Sequence, residues 1–162
     1  MVFRSYLITY VLFFTLMVSC DKNSQNNIKK PGKEQNIEES NSVPDYIKIT
    51  IAGETLSVKM ENNVATRALV KALDKAPISY TASDYGGFEK VGALGFSLPT
   101  SNSQITAVAG DVILYNGNQI VLFYGSNSWS YTRIGKIKYN SLEELKSFLK
   151  AGEGDVTIKL SL

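Results

Sequence analysis

Two apolar runs, Val112 to Tyr115 and Gln119 to Tyr124, flank Asn116-Gly117-Asn118. An Asn-Gly pair between such runs predicts a hairpin, because both residues accept the positive φ of a tight reversal. Neither run alternates, so each predicted strand has both of its faces covered, as at the centre of a sandwich or a small closed barrel. Any fold open to this chain must bury that hairpin on two sides. Directly after it, Gly125-Ser126-Asn127-Ser128-Trp129-Ser130-Tyr131-Thr132-Arg133 reads as a loop of small polar residues carrying the chain's single Trp, and is the expected recognition surface.

The flanking sequence supplies the rest of a β-rich domain. Ile47, Ile49 and Ile51 alternate with Lys48 and Thr50, Ala52-Gly53-Glu54 turns the chain, and Leu56, Val58 and Met60 alternate on the return. Ala65, Ala68, Leu69, Ala72 and Leu73 then fall at helical spacing behind a cap at Asn62 or Asn63, with Pro77 preventing continuation. Arg67 and Lys71 lie on the solvated side of that helix. Ile78 to Ala82, Gln104 to Val108 and Tyr131 to Ile137 read as further strands. Ser141-Leu142-Glu143-Glu144 is a capping box opening a second helix, with Leu142, Leu145, Phe148 and Leu149 on one face and Gly152 at its end. Val156, Ile158 and Leu160 alternate in a last strand suited to close against the first. The sum predicts a mainly-β domain, a closed barrel of about seven to eight strands capped by two helices.

Several chemistries are excluded or disfavoured. The chain has no His, which removes the commonest general base and neutral metal ligand. One Cys cannot form an internal disulfide or an ordinary zinc site. A net charge of only +2 argues against a nucleic-acid footprint. The glycines at 86, 87, 92 and 95 form no phosphate loop: neither Gly-Lys-Ser/Thr nor G-x-G-x-x-G occurs there, so they predict tight bends. Asp84, Glu89 and Asp111 match no calcium loop. No metal, cofactor or catalytic residue is therefore assigned.

At the N-terminus, the apolar run from Tyr6 to Val18 is shorter than the roughly 20 residues of a membrane-spanning helix. With Leu16-Met17-Val18-Ser19-Cys20 it resembles a bacterial lipoprotein signal, which would make 1–19 a signal peptide and Cys20 the lipidated residue. A plain secretory signal is the alternative. Residues 20–44 are rich in Asn, Lys, Glu, Gln and Ser and read as a flexible tether with a reach of roughly 25–30 Å. The barrel domain is then 45–162, held at the bacterial cell envelope through a lipid anchor.

The stretch GDVILYNGNQIVLFYGSNSWSYTRIGKI from Gly110 to Ile137, together with SDYGGFEKVGALGFSLPTS from Ser83 to Ser101, resembles the bacterial cyclophilin-like proteins. The resemblance spans nearly all of 46–162 and implies a small closed β-barrel, in a family often found behind lipoprotein signals. It also implies a possible flavodoxin-like redox partner, though the chain carries no flavin or nicotinamide signature. True cyclophilins are prolyl isomerases that use a Phe-His-Arg motif; here that motif is missing and Glu89-Lys90 stands in the Gly-rich block. The expectation is a binding or accessory module for a peptide, protein or small molecule, with a weak isomerase as the alternative. Its candidate ligand contacts are Tyr85, Phe88, Trp129 and Tyr131 as walls, with Glu89, Asn127 and Arg133 as polar groups. Trp129 and Tyr131 suit ligand contact or cover of the barrel end equally, and Arg133 suits a pairing with Asp or Glu better than a donor role.

Overall fold

The computed structural model describes residues 42–162. The expected signal segment, Cys20 and all but the last residues of the tether lie outside the described residues. β1 (Tyr46–Ile51) and β2 (Glu54–Met60) form the first hairpin. After α1 (Val64–Leu73) come β3 (Ile78–Tyr85), β4 (Glu89–Ala93), β5 (Ser103–Ala107), β6 (Asp111–Tyr115), β7 (Gln119–Phe123) and β8 (Asn127–Ile137). α2 (Leu142–Phe148) and β9 (Val156–Ser161) complete the domain.

Eight strands close a ring in the order β2-β1-β9-β3-β4-β7-β6-β8, and β8 returns to β2 through pairs such as Val58 with Ile137. Every pairing is antiparallel, and the C-terminal β9 lies against β1 with Ile49 opposite Leu160. Closure leaves no open edge among these eight strands, which removes the commonest route to edge-to-edge aggregation. The two helices cap the barrel: Ala65, Leu69 and Leu73 of α1 and Leu145 and Phe148 of α2 join the inward residues Ile47, Ile49, Leu114, Leu122, Ile134 and Ile158 in one core.

Local chemistry explains the helix starts. Asn63 caps α1, its Oδ1 accepting from the Ala65 and Thr66 amides, while its Nδ2 donates to the Arg133 carbonyl at 2.7 Å and so ties the helix to β8. At α2 the Ser141 hydroxyl accepts from the Glu144 amide as expected. The returning Glu144 carboxylate takes the Asn140 amide, one residue before the cap.

The central hairpin turns at Asn116 and Gly117, both with positive φ, and β6 and β7 are buried on both faces. The reason for the second covered face is a smaller core outside the ring. Ala107, Ile113, Val121, Phe123 and Tyr131 pack there, with Phe88, Val91, Ile105 and Tyr115 around them. It forms because the stretch read as a loop is strand. β8 begins at Asn127, and its first five residues pair with β5 from Tyr131–Ser103 to Asn127–Ala107. Small Ser128 and Ser130 alternating with Trp129 and Tyr131 is a period-2 pattern that satisfies the β5 edge. β3 likewise runs to Tyr85, beyond the expected end at Ala82, because its last three residues pair with Glu89 to Val91.

Candidate functional site

Strand parity divides the outer wall from the lumen. On β4, Glu89 and Val91 face outward, while Lys90 between them turns inward and is fully buried. Its ammonium donates to Asp84 Oδ2 at 2.9 Å and to the Gly154 carbonyl. The Tyr124 hydroxyl donates to the other Asp84 oxygen at 3.0 Å, and the Gly154 amide donates to Oδ2 at 2.9 Å. Burial alone would raise the Asp84 carboxyl; the Lys90 ammonium, the Gly152 and Gly154 amides and the Tyr124 hydroxyl outweigh it and hold the group at about 2. Burial, reinforced by Asp84, pushes the Tyr124 phenol up to about 12. This polar cluster is satisfied and structural.

The outward face is different. Cross-strand register lines up Tyr85 with Glu89 and Glu89 with Phe123, then Val91 with Val121, across β3, β4 and β7. Tyr115 pairs with Gln119 beside the hairpin turn. With Asn127, Trp129 and Tyr131 of β8 as the far wall, these side chains enclose a groove of about 400 Å³ over the outer core. That size is within the range of small-ligand sites. The base is rigid: the Tyr131 ring meets Phe123 edge-on at 5.9 Å and Tyr115 at 6.0 Å, and the Asn127 amide donates to the Tyr131 hydroxyl at 3.1 Å. The rims are open, Tyr85 being 66% and Trp129 56% exposed.

Glu89 is the anomaly. The residue is 6% exposed, yet Oε2 has no hydrogen-bond partner among the described residues. Burial without a counter-charge pushes the carboxyl up to about 7. A buried polar group left unpaired is costly and uncommon, and such groups concentrate where a ligand supplies the missing partner.

Of the residues singled out in the sequence, Tyr85, Glu89, Asn127, Trp129 and Tyr131 meet around this groove. Phe88 is not in the wall. Its ring stacks on Phe123 at 6.2 Å, and its Cβ fills the space where a side chain at position 125 would stand, which explains Gly125. Arg133 lies apart from the groove: its guanidinium reaches Asp111 Oδ2 at 3.2 Å and the Thr106 carbonyl at 3.4 Å. Asp111 is fully buried, also accepts from the Val108 amide and lies 3.6 Å from Lys136 Nζ. Asp84, Glu89 and Asp111 are dispersed over three environments, and no cluster of three metal-ligating side chains occurs among the described residues. Val91, Tyr115, Gln119 and Val121 also line the groove and were not among the expected contacts. Their signal was parity, since positions 115, 119 and 121 share the outward side of a hairpin covered on both faces.

A closed antiparallel barrel of eight strands with two helical caps and an aromatic-walled groove on its outer surface defines the class. The family model of the cyclophilin-like family matches residues 49–161, and the chain belongs to that family. Among solved structures, the solution structure of the hypothetical protein AF2241 from Archaeoglobus fulgidus is similar, with a TM-score of 0.54 and 18% sequence identity over 74% of this chain and 95% of that one. At that identity the likeness speaks for the fold. No functionally curated protein is significantly similar in sequence.

Proposed function

We propose that this chain is a binding module of the bacterial envelope, lipid-anchored at Cys20, that takes its ligand into the outer groove and does not act as an efficient prolyl isomerase. The observation that carries the reading is the pairing of two exposed aromatic rims, Tyr85 and Trp129, with the polar lining residues Glu89, Gln119 and Asn127. Exposed aromatics beside a rigid concave surface are the usual makings of a recognition site. The anchor reading is supported by the apolar run ending in Val18-Ser19-Cys20.

The groove reading is tested by screening a small-fragment collection against the 15N-labelled domain. Hits are expected to shift amides of β4, β7 and the first half of β8 and to change Trp129 fluorescence. Hits that consistently perturb the α2 end of the barrel would overturn it. The anchor is tested separately: Cys20→Ala is expected to release the protein from the membrane fraction, and unchanged membrane association with unchanged electrophoretic mobility would sink that part.

Catalysis of prolyl isomerisation calls for a donor aimed at the twisting amide, against a barrier of roughly 18–20 kcal/mol. The Arg133 guanidinium is engaged by Asp111 and lies outside the groove. Loss of one preorganised donor typically lowers a rate by about a hundred- to a thousandfold. Isomerisation of a proline peptide is therefore expected close to the uncatalysed rate and unchanged in Arg133→Ala. Activity comparable to a true cyclophilin would contradict the binding-module reading.

A further inference from the structure

We propose that the outer groove is built for an organic monocation on an apolar stem, an alkylammonium, with Glu89 as its counter-ion and the surrounding rings as its cage. The inference rests on the groove being the binding site. Three observations point to this class of ligand. Glu89 is 6% exposed with Oε2 unpartnered among the described residues, and it lines the cavity. The walls around it are aromatic: Tyr85, Tyr115, Trp129 and Tyr131 line the same space. Among the described residues no amine or guanidinium lines it; Lys90 is turned inward onto Asp84 and Arg133 is held by Asp111.

A lone buried carboxyl among rings lacks one thing, a positive charge, and aromatic rings attract the same charge through their quadrupoles. A metal ion is a poor match, since hard cations require several oxygen ligands and Glu89 is the one carboxylate among the described residues that line the groove. An ammonium needs only one carboxylate plus faces to lie against. Val91 and Val121 at the base suit the methylene stem. A free alkylamine and the side chain of a lysine in a peptide share this chemistry.

A neutral ligand that accepts a hydrogen bond from the protonated acid is the competing possibility, and the two differ in sign with pH. A cation binds the carboxylate form, so its affinity rises as Glu89 loses its proton. A neutral acceptor binds the acid form, so its affinity falls. The other titratable groups that face Glu89 are phenols: Tyr85 from β3, Tyr115 from β6 and Tyr131 from β8 line the groove, and Tyr124 beyond β7 feels its charge.

The experiment titrates the folded domain with n-butylammonium, with Nα-acetyl-lysine methylamide and with the neutral Nα-acetyl-norleucine methylamide, following amide shifts and Trp129 fluorescence between pH 5.5 and 8.5. The ammonium probes are expected to bind roughly tenfold or more tightly than the neutral one. That preference should grow with pH and vanish in Glu89→Gln, whose thermal unfolding serves as the check on folding. A capped lysine much tighter than n-butylammonium points to a peptide source; equal affinities point to a free amine. Neutral and cationic probes binding equally in the groove, or affinity falling as pH rises, would overturn the cation assignment and leave the groove reading standing. Binding of the ammonium probes away from β4, β7 and β8 would overturn both. No binding by any probe would overturn the cation assignment.

Discussion

Asp84→Ala is expected to lower the free energy of unfolding by about 3–5 kcal/mol, because it strands the Lys90 ammonium in the barrel interior. Lys90 is 0% exposed and keeps only the Gly154 carbonyl once the carboxylate is gone; the Gly154 amide and Tyr124 hydroxyl lose their acceptor at the same time. The measurement is urea unfolding of the 45–162 domain. Lys90→Met should be milder, since Asp84 is 19% exposed and retains the Tyr124 hydroxyl and the Gly152 and Gly154 amides as donors. The combination Asp84→Leu with Lys90→Met should recover much of the loss, because a buried pair replaced by apolar residues of similar volume is often neutral. An Asp84→Ala variant within about 0.5 kcal/mol of the parent, the usual range for an inert surface change, would show that the pair does not hold the barrel end.

The same carboxylate contributes to the pH dependence of stability at the acid end. Its pKa is depressed from 3.8 to about 2 on folding, so its stabilisation is complete above the unfolded value and disappears as pH falls through about 2. The pair also fixes orientation along β4. With Lys90 committed to the lumen, the strand's alternation puts Glu89 and Val91 on the outer wall, and one structural residue thereby aims a functional one.

What was legible in the sequence follows from the range of the interactions concerned. Alternation at Ile47 to Ile51 and at Val156 to Leu160, the Asn-Gly turn and the Ser141 cap depend on neighbours a few residues away and could be read directly, while the first cap was narrowed only to Asn62 or Asn63 and the Glu144 carboxylate takes the Asn140 amide in place of the cap's own. The continuous apolar runs of the central hairpin disclosed that both faces are covered, but not by what. The outer cover comes from β5, from Phe88 and from the start of β8, segments joined only by tertiary pairing. The small polar residues around Trp129 resembled a loop because Ser and Asn favour turns; a partner edge at β5 overrode that preference. Glu89 could be placed near the aromatics from sequence, but its isolation could not. Whether a carboxyl has a counter-ion depends on Lys90 facing away and on Arg133 pairing with Asp111, and neither is a local property.

Glu89 should also write itself into the pH dependence of stability, with a sign opposite to that of Asp84. The folded carboxyl is raised from 4.5 to about 7, so between those values the unfolded chain has released a proton that the native protein still holds. Stability then declines as pH rises. The contribution is fully present below about 4.5, falls through the window and is lost above about 7. At about 1.4 kcal/mol for each pH unit, the total is of the order of 3 kcal/mol. Glu89→Gln keeps the shape and removes the ionisation. Its urea midpoint should match the parent near pH 4 and exceed it near pH 8, with the slope between them flattened. A parent that is equally stable at both pH values, or a variant that retains the slope, would show that the carboxyl finds a partner in solution. A saturating alkylammonium should restore part of the parent's stability at pH 8, because a ligand that binds only the folded, ionised form shifts both the proton and the folding equilibrium toward it.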